Sequence, residues 1–125
     1  MRVLIVDDSS TMRKIIRKTV MEAGVSDIAE AEDGIDALKR IKDHNAAFDL
    51  ILLDINMPKV DGITTLKQLK SMDQTKGIPV IMCTSEAEKE LVITSIKAGA
   101  SDYVVKPFTK DVIFEKINRL SAKPA

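Results

Sequence analysis

Short apolar runs alternate with longer stretches in which apolar positions recur every three or four residues, and the alternation repeats five times along the chain. The short runs predict strands at Val3 to Asp7, Asp27 to Ala31, Leu50 to Asp54, Val80 to Cys83 and Ser101 to Lys106. The middle ones are continuously apolar, as parallel strands covered on both faces should be. Met12, Ile15, Ile16, Thr19, Val20 and Ala23 predict an amphipathic helix after the first strand, with Gly24 as its stop. Further helices are predicted from Ile35, Leu38 and Ile41; from Ile63, Leu66 and Leu69; from Leu91, Val92 and Ile96; and from Val112, Ile113, Ile117 and Leu120. Their start signals are Asp33 before Gly34, Asp61 before Gly62, Ser85 with Glu88 as a capping box, and Thr109, while Gly99 closes the fourth. Parallel strands need crossover helices, so the pattern predicts an α/β fold, a doubly wound (βα)5 domain.

Length and composition narrow this picture. A chain of 125 residues encloses one apolar core, and we expect a single domain over residues 1–121, a short tail at 122–125 and no second, effector domain. Aromatics make up only 3%, so the core must be built from Ile, Leu, Val, Ala and Met. Nineteen basic and nineteen acidic residues cancel, which removes the global field that draws proteins to nucleic acid or anionic membranes. The run Val3-Leu4-Ile5-Val6 ends at Asp7-Asp8, far short of a signal-peptide core or a membrane span, and the expected location is cytoplasmic. Cys83, the single cysteine, lies in an apolar run and reads as a small core residue in a reducing compartment. His44, in Lys42-Asp43-His44-Asn45, reads as a solvated helix end without a metal or phosphoryl-carrying role.

In doubly wound sheets, ligands bind at the carboxyl ends of the strands. Read in order, those ends carry Asp7 and Asp8, then Asp54, Thr84 and Lys106. Each taken singly could cap a turn or face water. Together they bring three carboxylates, a hydroxyl and an ammonium to one edge, where random surface residues would be spread over both. Two carboxylates about 5 Å apart repel by roughly 3 kcal/mol at an effective dielectric near 20, so a compensating positive charge must sit among the three. Lys106 supplies one, and a hard divalent cation with oxygen ligands supplies the rest, for which Mg²⁺ is suited. Acids beside a metal, a lysine and a hydroxyl form a site fit for handling a phosphoryl group.

The segments Val3-Leu4-Ile5-Val6-Asp7-Asp8-Ser9-Ser10, Asp54-Ile55-Asn56-Met57-Pro58 with Asp61-Gly62, Thr84-Ser85, Ala98-Gly99-Ala100 and Tyr103-Val104-Val105-Lys106-Pro107-Phe108 resemble the motifs of response-regulator receiver domains. The resemblance spans nearly the whole chain. Ser10-Thr11-Met12-Arg13, Ala29-Glu30-Ala31-Glu32-Asp33-Gly34 and Tyr103 to Thr109 place it closest to the single-domain chemotaxis members of that family. It implies a flavodoxin-like five-stranded parallel sheet of order 2-1-3-4-5. It also implies a switch that accepts a phosphoryl group on Asp54 from a histidine kinase, with Asp8 and Asp54 binding Mg²⁺ through side chains, Asn56 through its carbonyl, and Asp7 acting through water on the ion. Lys106 and Thr84 would contact phosphoryl oxygens, and Lys106-Pro107 would be a cis peptide. Asn56 and Glu86 would set the lifetime of the phosphorylated state. Tyr103 stands three residues before Lys106, so its side chain falls on the opposite face of a regular strand, toward the fourth and fifth helices. The resemblance makes Thr84 and Tyr103 the switch pair and Ala87, Lys89, Val92, Tyr103, Val105, Lys116 and Arg119 the output surface. Its partner would be a phosphorylation-dependent protein such as a flagellar motor switch component, with the chain acting as a monomer. One departure is Ser9, which stands where a single-domain chemotaxis member of the family has an aromatic and leaves the rim more polar.

Three other readings compete with this one. A flavin-binding electron carrier shares the fold, but the two acids of the first loop would repel a flavin phosphate and flanking aromatics are nearly absent. An aspartyl-nucleophile phosphatase also pairs Asp with Mg²⁺ and Lys, yet such enzymes resemble Asp-x-Asp, whereas this chain has Asp54-Ile55-Asn56. An amide cannot serve as the base for water attack, so a phosphoaspartate should persist. The third rival is a receiver from another phosphorelay or one cut from a larger regulator.

Overall fold

The computed structural model describes residues 1–45, 47–55, 61–84, 89–106 and 108–121. Strand and helix alternate along them as β1 (Arg2–Val6), α1 (Ser10–Glu22), β2 (Asp27–Ala31), α2 (Gly34–Asp43), β3 (Leu50–Asp54), α3 (Gly62–Ser71), β4 (Val80–Thr84), α4 (Lys89–Lys97), β5 (Asp102–Val105) and α5 (Lys110–Ser121). All four strand pairings are parallel and the sheet order is β2-β1-β3-β4-β5, which is the doubly wound arrangement expected. The chain reverses direction across the sheet between β1 and β3. Their carboxyl ends therefore border the crevice where such folds hold ligands.

Both faces of the sheet are covered. On one face Ile5, Leu52, Ile81 and Val104 pack with Ile16 and Val20 of α1 and with Ile113 and Ile117 of α5. On the other, Leu4, Leu53 and Met82 pack with Ala37 and Ile41 of α2 and Leu66 and Leu69 of α3. Every residue of β3 and β4 is buried, which explains their unbroken apolar spelling.

The helix starts behave as their sequences imply. Asp33 accepts from the Asp36 N–H at 2.7 Å and Asp61 from the Thr64 N–H at 2.7 Å, while Thr109 accepts from the Val112 N–H at 3.4 Å. Ser9 caps α1, accepting from the Met12 N–H at 3.1 Å. Gly24 and Gly99, at φ +100° and +109°, take the left-handed conformation that ends α1 and α4. The predicted box of Ser85 and Glu88 lies outside the described residues.

Several expectations shift. β1 runs one residue earlier than predicted, β4 extends to Thr84, and β5 is trimmed at both ends. Ile15 and Ile35 are 50% and 60% exposed, because each helix lies flat on the sheet along a narrow stripe. Met12, Ile16 and Val20 fill that stripe in α1. His44 does end α2, but its ring meets Phe48 edge-on at 5.3 Å and is half-buried, so it is not simply solvated. Cys83 is free and buried, as expected.

Gly62 opens α3 directly against the end of β3. Its N–H donates to the Ile55 carbonyl at 2.9 Å. A Cβ at this position would overlap the Asp54 carbonyl oxygen and stand 2.8 Å from the Ile55 Cα. Those are backbone atoms of a central strand and cannot yield cheaply. Gly62→Ala is expected to destabilise the fold by about 2 to 4 kcal/mol, read as a fall in the urea midpoint at unchanged slope. A midpoint equal to that of the parent would show that α3 can retreat without cost.

Candidate functional site

The acids and the lysine are delivered by the sheet itself. Asp7 follows the last residue of β1, and its N–H donates to the Ala31 carbonyl at 3.1 Å. Asp54 ends β3 opposite Cys83, and the next N–H, of Ile55, donates to the Cys83 carbonyl at 3.1 Å. Thr84 ends β4 and is buried. Its carbonyl accepts from the Lys106 N–H at 2.8 Å. Ladder bonds thus extend just past the strand ends and fix four site residues relative to one another.

Lys106 then reaches inward. Its Nζ donates to Asp7 Oδ2 at 2.8 Å and to Asp54 Oδ1 at 3.0 Å. Both carboxylates are buried, at 1% and 7% exposure, while Asp8 is exposed. Asp7 spends its other oxygen on the Ser9 N–H at 2.9 Å. One carboxylate oxygen from each of Asp7, Asp8 and Asp54 lies within 4.8 Å of the others.

Charge follows from this geometry. Burial lifts the Asp54 carboxyl from the ordinary 3.8 to about 6; the Lys106 hydrogen bond and charge oppose the rise, and the charges of Asp7 and Asp8 add to it. Burial pulls the Lys106 ammonium down, but its hydrogen bonds and ion pairs with Asp7 and Asp54 outweigh that, and the net direction is up. The lysine remains charged. One ammonium against three carboxylates leaves an excess that a divalent cation matches. The donors are all hard oxygens, and their spacing suits ligation at about 2.1 Å, so the residues present fit Mg²⁺.

Asp7, Asp8, Asp54, Thr84 and Lys106 thus share one edge of the sheet. Asn56, Glu86, Ala87 and the Lys106-Pro107 bond lie outside the described residues. The remaining surface residues gather around β5 and its flanking helices. Tyr103 is 42% exposed, and the Lys116 Nζ stands 5.9 Å from its ring centroid. Lys89, Val105 and Arg119 are exposed and Val92 is half-buried. Lys116 and Arg119 both pair with Asp102, at 3.0 and 3.5 Å, and Arg119 also with Glu115 at 2.9 Å. The basic character expected of this patch is therefore partly neutralised from within.

Three residues quoted in the sequence motifs were given no part in the site yet lie against the acids. Ser9 ties down Asp7 through its amide, Gly62 packs on the Asp54 carbonyl, and Arg13 donates to the Asp7 carbonyl at 2.7 Å. Only Gly62 carries a usable signal, a glycine at a helix start that no turn requires.

A family model described as response regulator receiver domain matches residues 3–118. The chain is 45% identical to chemotaxis protein CheY1 of Helicobacter pylori over 117 residues, 94% of each chain. It is 42% identical to chemotaxis protein CheY of Pseudomonas aeruginosa over 120 residues, 96% of this chain and 95% of that one. Among solved structures, Vibrio cholerae chemotaxis protein CheY4 superposes with a TM-score of 0.84 at 33% identity, covering 95% of this chain and 97% of that one. The receiver domain of NtrX from Brucella abortus does so with a TM-score of 0.86 at 29% identity, covering 97% and 99%. No helix among the described residues is long and apolar enough to cross a membrane.

The raised Asp54 carboxyl gives a signed pH dependence. Between the ordinary 3.8 and about 6, the folded protein holds a proton that the unfolded chain has lost, so this group's contribution to stability falls as pH rises through that window and stays low above it. Without added divalent metal, Asp54→Asn should raise stability at pH 7.5 by about 1 to 2 kcal/mol, the shift being discounted for solvent screening. The gain should shrink as pH falls toward 4. Urea titrations of both proteins at several pH values check this, and a gain that does not depend on pH would contradict it.

Proposed function

The chain belongs to the response regulator receiver domain family, and on that premise we propose that residues 1–121 form a phosphoryl-accepting switch with Asp54 as the acceptor and Mg²⁺ as cofactor. The observation that carries this reading is the placement of Asp54. It ends a fully buried central strand, with one oxygen held by Lys106 and with Asp7 and Asp8 beside it. A carboxyl lifted to about 6 is a better nucleophile than a surface aspartate, yet it is still largely ionised at neutral pH.

In the proposed reaction an Asp54 oxygen attacks the phosphorus of a kinase phosphohistidine. The P–N bond breaks, the imidazole leaves, and an acyl phosphate remains on Asp54. When bound at Asp7, Asp8 and Asp54, with Asn56 contributing its carbonyl, Mg²⁺ supplies charge neutralisation for the incoming phosphoryl oxygens. Lys106 is already aimed at the reacting carboxylate, so it needs only to exchange Asp54 Oδ1 for a phosphoryl oxygen. The Thr84 hydroxyl, on the neighbouring strand end, takes another. Asn56 and Glu86 govern how soon water removes the group.

Output follows on the surface of α4, β5 and α5. Thr84 turning toward the phosphoryl group, with Tyr103 moving inward, reshapes a face that includes Ala87, Lys89, Val92, Val105, Lys116 and Arg119. An acidic amphipathic segment, such as a flagellar motor switch protein could offer, suits this face. The naming of the curated relatives as chemotaxis proteins supports that direction. The place of action in this reading is the cytoplasm, where a histidine kinase would supply the phosphoryl group.

Incubation with acetyl phosphate and Mg²⁺ should add one phosphoryl group by intact mass, and Asp54→Asn should abolish the gain. A gain that survives the substitution would move the acceptor elsewhere. For output, a beryllofluoride phosphate mimic should strengthen binding of a partner peptide by about five- to a hundredfold in the parent. Thr84→Ala and Tyr103→Ala should lose most of that increment. An equal increment in all three proteins would reject this route.

A further inference from the structure

Arg13 lies in the first turn of α1, beside the end of β1, and serves two acceptors at once. Its Nη1 donates to the Asp7 carbonyl at 2.7 Å and its Nε to Glu30 Oε1 at 3.2 Å. Arg17, one turn further on, donates to the other Glu30 oxygen at 3.1 Å and to the Ile28 carbonyl at 3.4 Å. The Arg13 side chain is only 18% exposed, so the clamp is packed against the protein rather than laid on its surface. A planar guanidinium can satisfy a carbonyl and a carboxylate in different directions while an ammonium cannot hold both in a fixed geometry.

The carbonyl that Arg13 grips belongs to Asp7, the residue from which the chain turns through Asp8 into α1. The Asp7 N–H is already tied to Ala31 and its carboxylate to Lys106 and Ser9. Fixing the carbonyl orients the Asp7–Asp8 peptide, and with it the direction in which the Asp8 side chain leaves the backbone. Glu30 in turn keeps the guanidinium on the carbonyl and away from the three carboxylates, where it would compete with a cation.

We propose that Arg13, clamped by Glu30, is a positioning residue of the acid cluster: by holding the Asp7 carbonyl it keeps Asp7 and Asp8 converged on Asp54 for the divalent ion. This rests on the reading of these acids as the cation site. A nearby positive charge acting only as charge has the opposite effect. It repels the ion, so its removal tightens binding and a Lys replacement leaves binding unchanged.

Mn²⁺ titration followed by electron paramagnetic resonance, with hydrogen exchange at the Ser9 amide, separates these cases in the wild type, Arg13→Lys and Arg13→Ala. Positioning predicts that both variants bind Mn²⁺ about tenfold more weakly and that the Ser9 amide exchanges faster. Glu30→Gln, which frees one side of the clamp, should weaken binding in the same direction and serves if an Arg13 variant does not fold. Folded Arg13 variants that bind Mn²⁺ as tightly as the wild type or more tightly would overturn the proposal, even if their melting temperatures fall. A wild type that binds no Mn²⁺ would overturn the cation site itself, and the proposal with it.

Discussion

The rim depends on a single ammonium shared between two buried carboxylates. Lys106 reaches Asp7 and Asp54 from a strand end three places away from β1 in the sheet, and without it those acids would sit side by side, desolvated, with nothing to offset their repulsion. Removing the lysine from such an arrangement costs about 3 to 5 kcal/mol, because uncompensated buried carboxylates stay behind. The lysine does not finish the task, since Asp8 remains. The fold is thereby left with a standing demand for positive charge at one point of its surface, which a cation bound by Asp7, Asp8 and Asp54 would meet.

The sheet supplies the rigidity that this arrangement needs. Leu50, Ile51, Leu52 and Leu53 of β3 are each buried to within 1%, and each contributes about 2 kcal/mol through removal from water. That strand cannot slide to relieve the crowding at its tip. Gly62 closes the same tip from the other side, since α3 begins in contact with the Asp54 carbonyl. The Asp54 carboxylate is therefore fixed by packing as well as by charge.

Much of this was legible in the residue order. Unbroken apolar spelling marked β3 and β4 because both of their faces are covered, and Asp7, Asp54, Thr84 and Lys106 could be placed on one edge because parallel strands all point the same way. What could not be read was contact across the fold. Nothing in the spelling of Arg13 or Glu30 says that seventeen positions collapse to a hydrogen bond, and nothing in Asp102 announces that it draws in both Lys116 and Arg119. Helix periodicity overstated the core at Ile15 and Ile35, because the period marks a face but not how much of it the sheet can cover. β5 is one residue shorter at each end than its spelling suggests, although the Ser101 and Lys106 N–H groups still donate to the Val80 and Thr84 carbonyls of β4 at 2.8 Å each.

Cys83 lies opposite Asp54 on the adjoining strand, one strand away from the acid cluster. Burial there pushes its thiol up to about 12; the Lys106 charge opposes the rise and the charges of Asp54 and Asp7 add to it. At neutral pH such a group carries almost no thiolate, and thiolate is the form that peroxides and alkylating reagents attack. The sulfur is thus a bystander to oxidants despite its address, and the centre of the sheet is insulated from swings in redox poise.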